Sequence, residues 1–223
     1  ESLKLENISF RYGSNQTLFD KANIEIKFGD IVGIEGKSGT GKSTLINIIC
    51  GLTKIKEGKI LVDGIDIHKN LKGWQENLGY VPQNIFLKDS TIENNIVFGK
   101  KNSINKDKKL PEVLVQSNLD KFVKSLDFGL NTSTGEKGTS ISGGQVQRIG
   151  IARGLYYSPK LLILDESTSA LDNDSEDQIL EELLKFKGRI TLLIISHKIR
   201  TLKICDKIYK IENNKINPTN NDL

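Results

Sequence analysis

Methionine is absent from all 223 residues, position 1 included, and only two cysteines occur. Excision from a longer protein, N-terminal processing and a chosen boundary would each account for the missing initiator. Two cysteines exclude a disulfide scaffold; Cys50 and Cys205 both sit in apolar stretches and read as core thiols of a reducing compartment. No run reaches the roughly 18 apolar residues of a membrane span, and no charged-apolar-small leader opens the chain, so the sequence as it stands reads as a soluble polypeptide. Net charge is small as well. Lys+Arg 32 against Asp+Glu 28 leave +4, a mild excess that suits a nucleotide or an anionic membrane face and does not demand nucleic acid. The richest basic stretch, residues 100–109, has no aromatic residue to stack a base and is expected to be a solvated loop. This length allows one large α/β domain, or a core domain with a smaller insert, and buries a sizeable apolar centre without staples.

What the chain does contain is Gly36-Lys-Ser-Gly-Thr-Gly-Lys-Ser-Thr44, which fills the pattern G-x-x-x-x-G-K-[ST]. It lies between an apolar run, Ile31-Val-Gly-Ile34, and a helical spacing of Leu45, Ile48, Ile49 and Leu52, the strand-loop-helix context that a phosphate-binding loop requires. Gly36, Gly39 and Gly41 permit turns that a Cβ would forbid, so that successive backbone N–H groups, those of Ser38 and Thr40 among them, converge on phosphate oxygens at a helix N-terminus. The motif implies a nucleoside triphosphate. Lys42 is expected to reach the β- and γ-phosphates, Ser43 to ligate Mg²⁺ and Thr44 to complete the cradle.

Around this motif the chain reads as a split α/β core. Alternating stretches at residues 3–10 and 22–28 and a strand at 58–64 closed by Asp63-Gly64 predict a β-rich N-terminal layer. A short strand, 78–82, stops at Pro82. Residues 83–157 change character, with helical pieces at 92–98, 112–118, 121–126 and 145–157 and no convincing strand. Residues 160–165 and 189–196 are continuous apolar runs, expected as central parallel strands covered on both faces, with a charged helix at 174–187 between them. A last pair, 207–212 and 215–217, turns at Asn213-Asn214 and leaves a polar tail, 218–223, expected to be disordered. The expected organisation is residues 1–82 as β subdomain and first part of the core, 83–157 as helical insert, and 158–223 as the rest of the core.

The run Leu161-Leu-Ile-Leu-Asp165-Glu166 carries two carboxylates to the C-terminal edge of a buried strand, where open α/β sheets place their ligands. Behind a phosphate loop, Asp165 is a candidate for the Mg²⁺ shell and Glu166 for orienting and deprotonating the attacking water. Between the two motifs, Ile141-Ser142-Gly143-Gly144-Gln145 opens a helix with apolar Val146, Ile149, Ala152 and Leu155. Here the chain resembles the nucleotide-binding domains of ATP-binding-cassette (ABC) proteins, whose signature loop reads Leu-Ser-Gly-Gly-Gln; Ile141 replaces the leucine and is expected to pack beneath the loop.

The resemblance covers nearly the whole chain and implies a P-loop NTPase core with an antiparallel β subdomain and an inserted α-helical subdomain. It implies that Tyr12 stacks on adenine, that Gln83 touches Mg²⁺ and water, that Asp172 in Ser169-Ala-Leu-Asp172 crosses to a partner subunit, and that His197 contacts the γ-phosphate. It implies ATP and Mg²⁺ as cofactors. It also implies a head-to-tail dimer in which the phosphate loop of one copy faces Ser142, Gly143, Gly144 and Gln145 of the other. His68 matches no motif and is expected to be exposed.

Soluble relatives that manage DNA ends or chromosomes carry a long coiled coil where this chain has a short insert. Thr132-Ser-Thr-Gly-Glu136-Lys-Gly138 resembles the exporter segment whose glutamate contacts the membrane domain, and the stretch from Ile85 to Ile96 is similar to exporters too. Trp74-Gln75-Glu-Asn-Leu-Gly-Tyr-Val-Pro-Gln83 looks most like bacterial flippases for lipid-linked oligosaccharides; lipid A, peptide and drug exporters remain open. The resemblance thus implies an ATPase that drives export at the cytoplasmic face of the inner membrane, with a transmembrane domain as partner and no nucleic acid; the alternative is a soluble ABC-type ATPase uncoupled from transport. Gly150 and Gly154 stand where relatives carry alanine, and a helix-interior glycine costs up to ~1 kcal/mol, so a slight loss of stability is expected.

Overall fold

The computed structural model describes residues 1–13, 16–99, 106–135, 138, 141–167 and 173–219. Strands β1 (Ser2–Tyr12), β2 (Gln16–Lys27) and β3 (Ile31–Gly36) lead into α1 (Lys42–Ile49), followed by the hairpin β4 (Glu57–Val62) and β5 (Ile65–Asp66), then α2 (Leu71–Glu76) and β6 (Leu78–Val81). The helical stretch is α3 (Ile92–Ile96), α4 (Lys106–Gln116), α5 (Asp120–Lys124) and α6 (Gly143–Tyr156). The chain then alternates through β7 (Leu161–Asp165), α7 (Asn173–Leu184), β8 (Thr191–Ile195) and α8 (Ile199–Lys203), and closes with the hairpin β9 (Lys207–Glu212) and β10 (Lys215–Thr219).

Two sheets result. One is antiparallel in the order β2-β1-β4-β5; the other runs β10-β9-β3-β8-β7-β6 and is parallel apart from β10. The apolar runs of β7 and β8 serve two cores at once because successive side chains point to opposite faces. Leu162, Leu164, Leu192 and Ile194 join the helices α3, α4 and α6 in one core. Leu161, Ile163, Leu193 and Ile195 join α1 and the antiparallel sheet in the other. Cys50 and Cys205 are buried thiols, pushed up to about 11 and about 12 by burial.

Two expectations need correction. Where it is described, the basic run is helical: residues 106–109 form the start of α4, whose Leu110, Val113 and Leu114 are buried, while Lys109 pairs with Glu112 one turn on, and residues 100–105 lie outside the described residues. Packing of that apolar face outweighs the local charge and carries the helix through Pro111. The tail is ordered through Thr219, because β10 lies at the edge of its sheet and Pro218, opposite Tyr209, has no second neighbour that needs its missing N–H. Residues 220–223 lie outside the described residues. The glycines of α6 lie in close packing. A Cβ on Gly79 of β6 would come 2.5 Å from the Gly154 carbonyl, and one on Gly150 would come 2.3 Å from Ile85 Cδ1, so the absent side chains let α6 lie directly against β6 and the Ile85 segment.

Candidate active site

The parallel strands aim their C-terminal ends at one cleft of about 670 Å³. β3 delivers the phosphate loop, β7 delivers Asp165 and Glu166, β8 delivers His197, and the segment leaving β6 delivers Gln83; all of them line the cleft. This is the edge at which open α/β sheets bind ligands. Tyr12, at the end of β1, closes one side and is 54% exposed. Its ring stands edge-on to Phe10 and its hydroxyl lies 3.1 Å from Thr44 Oγ1, which ties the aromatic face to the first turn of α1.

The loop is shaped by its own bonds. Gly41 caps α1 at φ 104°, and a Cβ there would lie 2.8 Å from Leu18 Cδ2 and 3.0 Å from Phe19 Cζ, so only glycine lets the antiparallel sheet pack against the loop. Thr40 is absent from the cleft lining; its hydroxyl turns inward and donates to the Lys37 carbonyl at 2.8 Å. Lys42 Nζ donates to the carbonyls of Gly36 at 2.8 Å and Lys37 at 3.1 Å and stands 3.9 Å from Glu166 Oε1. Ser43 is exposed and lines the cleft with Gly36, Ser38 and Gly39.

Glu166 is held from both ends. Its backbone sits at φ 46°, its N–H donates to the Ile195 carbonyl at 3.0 Å, and its Oε2 accepts from Gln83 Nε2 at 2.9 Å. A left-handed non-glycine residue costs of order 1–3 kcal/mol and persists where the surroundings over-determine it, often at functional sites. Asp165 is held above the usual carboxylate range, first by burial and then by the neighbouring Glu166 charge, against the opposing pull of Tyr80 and Lys42. Tyr80 donates its hydroxyl to Asp165 Oδ2 at 3.1 Å; burial, the Asp165 charge and this bond push the phenol up to about 12. His197 is 64% exposed at the side chain, with Nδ1 3.9 Å from Glu166 Oε1, beyond hydrogen-bond reach.

The remaining expected residues lie elsewhere. Ser142 caps α6 in a reciprocal box with Gln145: its N–H and hydroxyl both reach Gln145 Oε1, at 3.1 and 2.6 Å, while the Gln145 N–H returns to Ser142 Oγ. Ser142, Gly143, Gly144 and Gln145 are not part of the cleft lining, and Ser142 and Gly143 are exposed. Ile141 packs against the core beneath them, as the apolar-for-apolar exchange predicts. Asp172 and Glu136 lie outside the described residues. His68 is exposed and bonded to Asp66 at 2.8 Å.

Sequence reasoning missed Tyr80, which the motif placed beside Gln83 without a role, and Glu176. The Glu176 carboxylate is 1% exposed and accepts from Lys198 Nζ at 2.9 Å and Thr201 Oγ1 at 3.0 Å, anchoring the segment that carries His197. An acid among several on α7 carries no signal for such a partner in one dimension.

Glycine-shaped loop, buried lysine and adjoining carboxylates define a phosphate-loop nucleotide-binding domain with an inserted helical part. The family model described as ABC transporter matches residues 19–169, and the chain belongs to that family as an ATP-binding domain. It is 37% identical over 216 residues to an ATP-dependent lipid A-core flippase of Francisella tularensis subsp. tularensis (strain SCHU S4 / Schu 4), covering 96% of this chain and 35% of that protein. It is 38% identical over 218 residues to multidrug resistance protein pgp-1 of Caenorhabditis elegans, covering 96% of this chain and 16% of that one. A solved bacterial Atm1-family ABC exporter with ATP bound matches 99% of the chain, and 38% of its own, with a TM-score of 0.89 at 31% identity. The chain thus spans between 16% and 38% of the length of these proteins. Among the described residues no helix is long and apolar enough to cross a membrane.

Proposed function

We propose that this chain is the ATP-hydrolysing domain of an exporter- or flippase-type ABC transporter, working at the cytoplasmic face of the membrane beside a transmembrane domain and a second copy of itself. The observation that carries the reading is the convergence of Lys42, Gln83, Asp165, Glu166 and His197 on one cleft. That donor set fits MgATP: one cation and loop amides for the phosphates, an exposed serine hydroxyl and a carboxylate for the metal. Mg²⁺ is usually held by one or two carboxylates and substrate phosphates. Ser43, Asp165 and Gln83 would hold it, and when bound it supplies charge neutralisation between the β- and γ-phosphates.

The chain's own residues perform the rest. Tyr12 stacks the adenine, and its bond to Thr44 fixes the ring against the loop. Lys42 leaves the carbonyls of Gly36 and Lys37 for the phosphates, exchanging two neutral acceptors for a charged one. Glu166, freed from Gln83, orients and deprotonates the attacking water. His197 turns from the rim toward the γ-phosphate. Ser142 and the first N–H groups of α6, exposed and outside their own cleft, face the γ-phosphate held by the partner copy, where a helix N-terminus favours the anion. On this reading the cargo is a lipid-linked oligosaccharide, a lipid, a peptide or a drug.

Coupling is tested at Glu136, whose segment resembles the exporter motif. In the longer protein that carries the membrane part, Glu136→Ala is expected to leave ATP hydrolysis within about twofold while transport into inverted vesicles falls severalfold, since a charge at a surface contact contributes to docking rather than to chemistry. Equal loss in both assays would remove the coupling role.

A further inference from the structure

We propose that Tyr80 is a positioning residue that sets the Asp165 carboxylate for the divalent cation that accompanies the nucleotide. The inference rests on the reading of Asp165 as a metal ligand. Sheet register places the pair. β6 and β7 run parallel with Tyr80 opposite Ile163, and Ile163 belongs to the core on the α1 side. Asp165 is two residues further along β7, so it emerges on that same face, about 6.6 Å beyond Ile163 at the rise of a parallel strand. A phenol spans that offset. Its neighbour Val81 faces the opposite core, whereas Leu78, two residues back, packs on the α1 side.

The bond uses one carboxylate oxygen. Tyr80 donates to Oδ2 at 3.1 Å, which fixes the plane of the group and leaves Oδ1 with its lone pairs for the cation. Packing does not require tyrosine here: the residue is 44% exposed, so a phenylalanine fills the same place and loses only the hydroxyl. Partners of ligating carboxylates typically contribute 10–100-fold to metal affinity or activity, and one neutral donor belongs at the low end of that range.

Affinity of the chain for a non-hydrolysable ATP analogue, measured by calorimetry in EDTA and in excess Mg²⁺, gives the gain that the metal provides. Tyr80→Phe is expected to leave the EDTA affinity within twofold and to cut that gain by about 10-fold, with an unchanged melting temperature. Asp165→Asn should abolish the gain. If Asp165→Asn abolishes it and Tyr80→Phe does not alter it, the positioning role is overturned while the metal site stands. If Asp165→Asn also leaves the gain intact, the metal reading of Asp165 and the inference fall together. Equal losses in EDTA and in Mg²⁺ for Tyr80→Phe would likewise overturn the inference, because they would show a packing role.

Discussion

Lys42→Ala should lower ATP hydrolysis by the isolated chain at least about 10²-fold, the scale of removing one preorganised charge-stabilising group from a phosphoryl or acyl transition state. The side chain is 12% exposed and stands 3.9 Å from Glu166 Oε1, while Asp165 and Glu166 bring two carboxylates to the same cleft. Without Lys42 those acids face the incoming phosphates, and the lysine left among the described lining residues is the more exposed Lys37. Both binding and turnover suffer as a result. The loop itself should survive, since its shape depends on Gly41 against Leu18 and on Thr40 bound to the Lys37 carbonyl rather than on the ammonium. Phosphate release at saturating MgATP measures the effect, and a melting curve checks the fold. Wild-type turnover in the variant would show that the lysine does not act on the transferred phosphate.

Glu166→Gln is expected to reduce turnover by about 10²–10⁴-fold, the usual contribution of a general base, while leaving ATP bound. The amide keeps the size of the carboxylate, and its oxygen still accepts from Gln83, whose Nε2 now donates to Oε2 at 2.9 Å. The left-handed backbone at φ 46° and the bond from its N–H to Ile195 do not involve the side chain. Blocked after binding, two copies should stay closed around two ATP molecules, and light scattering should report a dimer with ATP and a monomer without it. Ser142→Arg on the same background places bulk and positive charge at an exposed helix N-terminus and should return the sample to monomer. A trapped form that stays monomeric with residual turnover at wild-type level would mean that Glu166 is not the base.

The elements of this site were legible in one dimension wherever chemistry and spacing coincide. The phosphate loop announces itself because glycines, lysine and serine must occur in a fixed order, and the run ending in Asp165-Glu166 is readable because a strand buried on both faces is continuously apolar. The helix that opens at Ser142 was readable from the apolar spacing of Val146, Ile149, Ala152 and Leu155, whereas the reciprocal cap between Ser142 and Gln145 was not. What stayed hidden depends on register between strands. Tyr80 meets Asp165 only because β6 pairs with β7 in one particular alignment, and Glu176 meets Lys198 only after α7 packs back over α8. The strain at Glu166 has no sequence signature at all, since a glutamate normally avoids φ > 0. The boundary of α4 was misjudged because the charges of residues 106–109 dominate local reading, whereas Leu110, Val113 and Leu114 buried beneath them decide the helix.

The central claim is that a complete catalytic site takes the phosphate loop from one copy and the Ser142 loop from another. Its most direct measurement is the specific ATPase activity of the isolated wild-type chain as a function of protein concentration at saturating MgATP. A composite site requires two chains to meet, so activity per chain should rise in proportion to concentration at the dilute end and level off once dimers dominate. Activity per chain that is constant across that range, with the protein monomeric throughout by light scattering, would place the whole site within one copy and contradict the account.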